Sequence, residues 1–124
     1  MSLDNKLDEA LMKSKTQMRR GVLEMCILSI ISEEKVYPSD IIAKLKAVEL
    51  IIKEGTLYPL LSRLRKDGLL DYEWVESTQG PPRKYFKITD LGRQFLNGLM
   101  ANWQELINSV NQSTKNITTN EQGI

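Results

Sequence analysis

The stretch from Glu54 to Ile88 limits the fold of this chain more than any other, because its hydrophobic period changes once, at a glycine. Leu57, Leu60, Leu61 and Leu64 recur at i, i+3, i+4 and i+7, which gathers apolar side chains on one helical face. The spacing predicts a helix over Lys53 to Asp67, closed by Gly68, a residue suited to a left-handed C-terminal cap. Pro59 is expected in the first turn or two, where it would lose no intrahelical bond and would fix the helix start. Beyond Gly68 the period drops to two. Leu70, Tyr72 and Trp74 alternate with Asp71, Glu73 and Val75, and Lys84, Phe86 and Ile88 alternate with Arg83, Tyr85 and Lys87. The connection Glu76-Ser77-Thr78-Gln79-Gly80-Pro81-Pro82 is rich in turn formers, so an antiparallel hairpin with a projecting tip is expected.

Helices flank this stretch on both sides. Lys6 to Ile31 reads mostly as helix, with a break expected near Ser14 to Gln17 and a buried second half at Val22, Leu23, Cys26, Ile27, Ile30 and Ile31. Glu33-Glu34-Lys35 ends it. Tyr37-Pro38-Ser39 opens the next helix, proline suiting the entrance and serine the cap, and that helix runs to about Ala47. It is expected to pack by Ile41, Ile42, Leu45 and Val48. Downstream, Asp90 is expected to cap a long helix. There Leu96, Leu99, Trp103, Leu106 and Val110 take heptad a and d spacing, with Met100 and Ile107 alongside. From Gln112 onward the chain is polar and without period, which predicts fraying or disorder.

Composition removes competing functions. At 124 residues the chain fits one domain. No apolar run approaches the roughly 18 residues of a membrane span, and no export signal is visible, so the cytoplasm is the expected location. Cys26 stands alone among apolar residues and reads as a small buried hydrophobe. The chain has no histidine, which takes away the commonest general base and the commonest zinc ligand. Without a metal-ligand cluster or a glycine-rich phosphate loop, neither an enzyme nor a metal or cofactor is expected. The net charge is only +1, yet Lys53 to Lys66 holds four cations against one anion, and Arg83, Lys84 and Lys87 follow without an acid among them. The basic charge is local.

Three helices followed by a hairpin is the order of a winged helix-turn-helix, in which the third helix enters the major groove of DNA. The fold class expected is therefore mainly α with a small β-hairpin. On the third helix, the face opposite the leucines offers Tyr58, Pro59, Ser62, Arg63 and Lys66, with Thr56 and Lys53 near its entrance. The wing offers Gly80, Pro81, Pro82, Arg83 and Lys84; the prolines stiffen the turn and the cations approach backbone or groove. A basic helical face or a proline-rich hairpin loop is ordinary by itself; the two in this order favour DNA. A winged helix used for protein association is the alternative, and salt-dependent DNA binding separates the two.

The residues themselves are also familiar. Glu54-Gly55-Thr56-Leu57-Tyr58-Pro59-Leu60-Leu61-Ser62-Arg63-Leu64, then Gly80-Pro81-Pro82-Arg83-Lys84-Tyr85-Phe86, then Ile88-Thr89-Asp90-Leu91-Gly92 closely resemble the PadR family of transcriptional regulators. The resemblance runs from about Met18 to Gly92, and Arg20-Gly21-Val22-Leu23-Glu24 resembles that family's entry into its first winged-helix helix. It implies a bacterial or archaeal homodimeric repressor that binds a palindromic operator and leaves it on a ligand or stress signal. It also puts Tyr58, its helix neighbours and the Arg83-Lys84 wing on DNA-contacting positions. Tyr37-Pro38-Ser39 departs from the Tyr-Gly-Tyr-like sequence usual there, and Lys53 stands where a better N-cap is usual; Lys53 becomes a candidate phosphate contact.

With about 20 helical residues expected after Thr89, the chain resembles the short subfamily, whose C-terminal helix pairs with its partner. That implies a dimer interface at Leu96, Leu99, Met100, Trp103, Leu106, Ile107 and Val110. Trp103 matches a tryptophan that in some short members lines an interface cavity for flat aromatic compounds; simple packing of the interface is the other reading of it. The organisation expected is an N-terminal helical extension at 1–17, a winged helix-turn-helix at 18–89, a dimerisation helix at 90–111 and a polar tail at 112–124.

Overall fold

The computed structural model describes the backbone of residues 3–122 and the side chains of 3–117. In chain order the elements are α1 (Leu3–Glu33), α2 (Pro38–Ala47), α3 (Glu54–Lys66), β1 (Leu70–Ser77), β2 (Gly80–Ile88) and α4 (Asp90–Gln122). The order is that of a winged helix with a long helix at each end. Its core is drawn from every element of the central unit. Ile27, Leu28 and Ile31 of α1 meet Ile41 and Leu45 of α2, and Leu57, Leu61 and Leu64 of α3 close over them, with Phe86 of β2 beneath. All are buried, so the leucine face of α3 is where its period placed it.

Three devices hold the hairpin in place. Gly68, at φ +79, ends α3 in the left-handed conformation, with the Leu69 amide donating to the Leu64 carbonyl at 2.9 Å. Val36, between α1 and α2, exchanges two backbone hydrogen bonds with Phe86, at 3.0 and 2.8 Å, and so extends the two-stranded sheet by one bridge. Gly92, in the first turn of α4, approaches the backbone so closely that a Cβ there would collide with the Leu69 carbonyl and the Ile88 side chain.

Several expectations are corrected. α1 has no break at Ser14 to Gln17: the Thr16 hydroxyl donates to the Met12 carbonyl at 3.1 Å, so this polar patch stays inside the helix. α4 likewise continues past Gln112 to Gln122, with the Thr114 hydroxyl donating to the Val110 carbonyl at 2.7 Å and no proline or glycine to stop it; residues 123 and 124 lie outside the described ones. The α4 cap is Thr89 rather than Asp90. Its hydroxyl accepts from the Gly92 amide at 3.0 Å and donates to the Gly68 carbonyl at 2.7 Å, while Asp90 is the first helical residue, where its charge suits the helix dipole.

α2 is capped from Tyr37, whose amide donates to the Asp40 carboxylate at 3.1 Å, and not by Ser39. Val48 is exposed rather than packed, because the chain turns away at Glu49, which takes the left-handed conformation at φ 65. Pro59 is the sixth residue of α3, beyond the amides that lack partners, so the helix does forgo one bond, to the Gly55 carbonyl. The hairpin connection is shorter than its composition suggests. Ser77 pairs with Gly80 across Thr78-Gln79, and the register shifts between Val75 and Ser77, so Pro81 and Pro82 belong to β2 at an irregularity that needs no ladder donor from them.

Candidate nucleic-acid interface

The side chains left over by the core gather where α3 faces the wing. The α3 residues Tyr58 and Ser62 look across a cleft of about 240 Å³ at Pro82, Arg83 and Lys84 of β2. The wing thereby meets the exposed flank of the helix that the sequence marks as the reading element. Tyr37 and Pro38 close one side of the cleft and Trp74 of β1 another. Two cations and no carboxylate line it, so its charge favours an anion.

Each cation is held on an aromatic ring. The Arg83 guanidinium lies 4.8 Å from the centre of the Tyr37 ring, which in turn packs at 5.9 Å against Tyr85. The Lys84 ammonium lies 4.1 Å from the Tyr72 ring centre and 5.3 Å from that of Phe86. Arg65 covers Tyr72 as well, at 4.3 Å. These contacts orient the charges without neutralising them, which an ion pair would do. Burial pushes the Tyr58 phenol above its ordinary range, helped by the Glu54 carboxylate and by Tyr37, so its hydroxyl stays protonated and can both donate and accept.

Of the other expected contacts, Lys53 is the N-cap of α3, and Thr56, Pro59 and Lys66 are exposed along it. Gly80 and Pro81 sit exposed at the wing tip, outside the cleft. Arg63 is turned away from the wing and pairs with Glu24 of α1 at 3.0 Å. Sequence reasoning missed Tyr37, Pro38 and Trp74 as parts of the cleft. Trp74 alternates in register with Leu70 and Tyr72, which suggests burial, but it lies beyond the edge of the core and is 63% exposed. Cys26 is half-buried, and burial raises its thiol pKa, in keeping with an inert packing residue.

A second concavity lies between the long helices. Met18, Val22 and Met25 of α1 face Leu99, Trp103, Leu106, Ile107 and Val110 of α4 across an apolar groove of about 650 Å³. Leu96 belongs instead to the rim of the core, and Met100 is exposed to one side. Leu3, Leu7, Leu11 and Met12 continue an exposed apolar stripe along α1. Among the described residues no group of histidine, cysteine or carboxylate side chains could hold a metal ion, and no helix is long and apolar enough to cross a membrane.

Comparison with known proteins agrees with this architecture. The family model for PadR-like transcriptional regulators matches residues 27–98. A curated relative, an uncharacterised protein of Lysinibacillus sphaericus, is 34% identical over 90 residues, covering 70% of this chain and 83% of the relative. Among solved structures, a PadR-like transcription factor from Bacteroides fragilis is 59% identical, with TM-score 0.69, covering 81% of this chain and 97% of its own. A PadR family regulator from Eggerthella lenta is 34% identical with TM-score 0.81, covering 86% and 94%. A PadR-like regulator from Bacillus cereus is 41% identical with TM-score 0.70, covering 77% and 94%.

Proposed function

This chain belongs to the PadR-like family of transcriptional regulators, and from that premise we propose that it is a sequence-specific DNA-binding repressor acting as a homodimer on a palindromic operator. The observation that carries the reading is the cleft between α3 and the wing, with Arg83 and Lys84 held on aromatic rings opposite Tyr58 and Ser62 and no acid among the lining residues. In this reading α3 enters the major groove. Tyr58, Pro59, Ser62 and Lys66 meet base edges and phosphates, Thr56 and Lys53 meet the backbone near the helix start, and Gly80 to Lys84 follow the adjacent backbone.

The homodimer is supported by what one chain leaves uncovered. Leu106 and Val110 of α4 are about half exposed, and Leu7, Leu11 and Met18 of α1 more so. A second copy would cover them. A response to a flat aromatic effector is a second reading, favoured by the apolar groove at Trp103, whose volume suits a small molecule.

The DNA reading is tested by fluorescence anisotropy with a labelled duplex selected by the full chain from a random-sequence library. Affinity should fall steeply with salt, and Arg83→Ala with Lys84→Ala should weaken it and flatten the slope by about 0.9 for each phosphate no longer neutralised, leaving the fold intact. Salt-independent binding would favour the protein-association alternative. Unchanged affinity in the double variant would remove the wing from the mechanism.

A further inference from the structure

The α3 cation with a carboxylate partner points to how the reading helix is set in place. Arg63 lies about 140° around α3 from Tyr58, on the flank away from the wing. Its Nη2 donates to Glu24 Oε1 at 3.0 Å. The Glu24 side chain is only 21% exposed, against 53% for that of Arg63, and Leu23 and Met25 on either side of it are buried. The carboxylate is therefore carried on a fixed stretch of α1. α3 makes its nearest backbone approaches to α2 and β1 and meets α1 through core side chains, so this pair adds a directional polar tie to a contact that is otherwise apolar.

We infer that Arg63 is a positioning residue that sets the rotation of α3 against α1, instead of the direct DNA contact its place on the helix suggests. A carboxylate at 3.0 Å offsets part of the guanidinium charge and fixes one of its N–H groups on α1, which weakens Arg63 as a phosphate contact and suits it to holding the helix. Because α1 also lines the apolar groove with α4, the pair ties the reading helix to the helices that set dimer spacing. The inference rests on the DNA-binding homodimer proposed above.

The test is a double-mutant cycle of Arg63→Gln and Glu24→Gln in the full chain, read as affinity for the selected duplex across a salt series, at a temperature where circular dichroism shows every variant folded. Each single variant should lose about tenfold, since a dimer carries the pair twice, and the double variant no more than either. The salt slope should stay at the unsubstituted value. The inference is overturned if Arg63→Gln flattens the slope by about 1.8, the mark of one phosphate per chain left unneutralised, while Glu24→Gln leaves affinity unchanged or improves it. It is also overturned if the losses add, or if neither variant loses affinity. Failure of the unsubstituted chain to bind with a salt-dependent slope would overturn the parent reading itself, and this inference with it.

Discussion

The winged unit and the two long helices treat the same kind of residue in opposite ways. In α3, Leu57, Leu61 and Leu64 are shut off from solvent; in α4, Leu106 is 54% exposed although it belongs to an equally regular apolar stripe. The difference lies in what each helix has to pack against. α3 closes over α1 and α2 with the hairpin beneath, whereas among the described residues the outer half of α4 faces α1 across an apolar groove. The central unit closes its core within one chain, whereas the long helices leave an apolar surface exposed.

The largest expected effect would break the comparison on its exposed side. Trp103→Ala should loosen the dimer by about 3–5 kcal/mol, the figure for a wholly buried tryptophan, and shift sedimentation toward monomer while the winged unit stays folded. A dimer that persists with loss of any response to flat aromatic compounds would favour a ligand cavity at Trp103 instead. Leu61→Ala probes the closed side. It should lower stability by about 2–5 kcal/mol to the same extent at every protein concentration, since its burial is complete within one chain. A destabilisation that grew on dilution would place α3 in the dimer contact.

A smaller effect is expected at the joint between the two regions. Thr89→Ala removes both the α4 cap and the bond to the Gly68 carbonyl and should cost about 1 kcal/mol, largely restored by serine in denaturant unfolding. Equal losses for alanine and serine would remove the hydroxyl from the account. The smallest effect concerns Glu73, whose carboxyl is held below its ordinary 4.5 by a 2.7 Å hydrogen bond from Lys35 and by that ammonium's charge. A lowered folded-state pKa contributes stability that is present above the ordinary value and lost as pH falls through the folded one. Glu73→Gln should therefore destabilise slightly at neutral pH and not in strong acid; an identical difference at both would show that the pair plays no part.

The closed region is the more legible of the two in the sequence, because its patterns are local. The leucines of α3 with Gly68 after them, and the alternation from Leu70 to Val75, need no knowledge of neighbours. What local pattern misses depends on atoms distant in the chain. Tyr37 joins the cleft because Arg83 rests on it, and Trp74 is exposed because the core ends before it. The wing loop looks longer in the sequence than it is because Pro81-Pro82 marks a turn in most contexts, while here a register shift accommodates the prolines within β2. The long helices look shorter than they are for a related reason: the polar stretches at Ser14 to Gln17 and from Gln112 onward suggest interruption, yet the Thr16 and Thr114 hydroxyls within them bond back to the preceding turn.

We propose that the winged unit reads DNA only in duplicate, with the exposed helices holding two copies at a fixed spacing. Native mass spectrometry of the full chain titrated into its selected duplex tests this most directly. Complexes of two chains per duplex are expected, with no single-chain complex along the titration. A duplex saturated by one chain would contradict it.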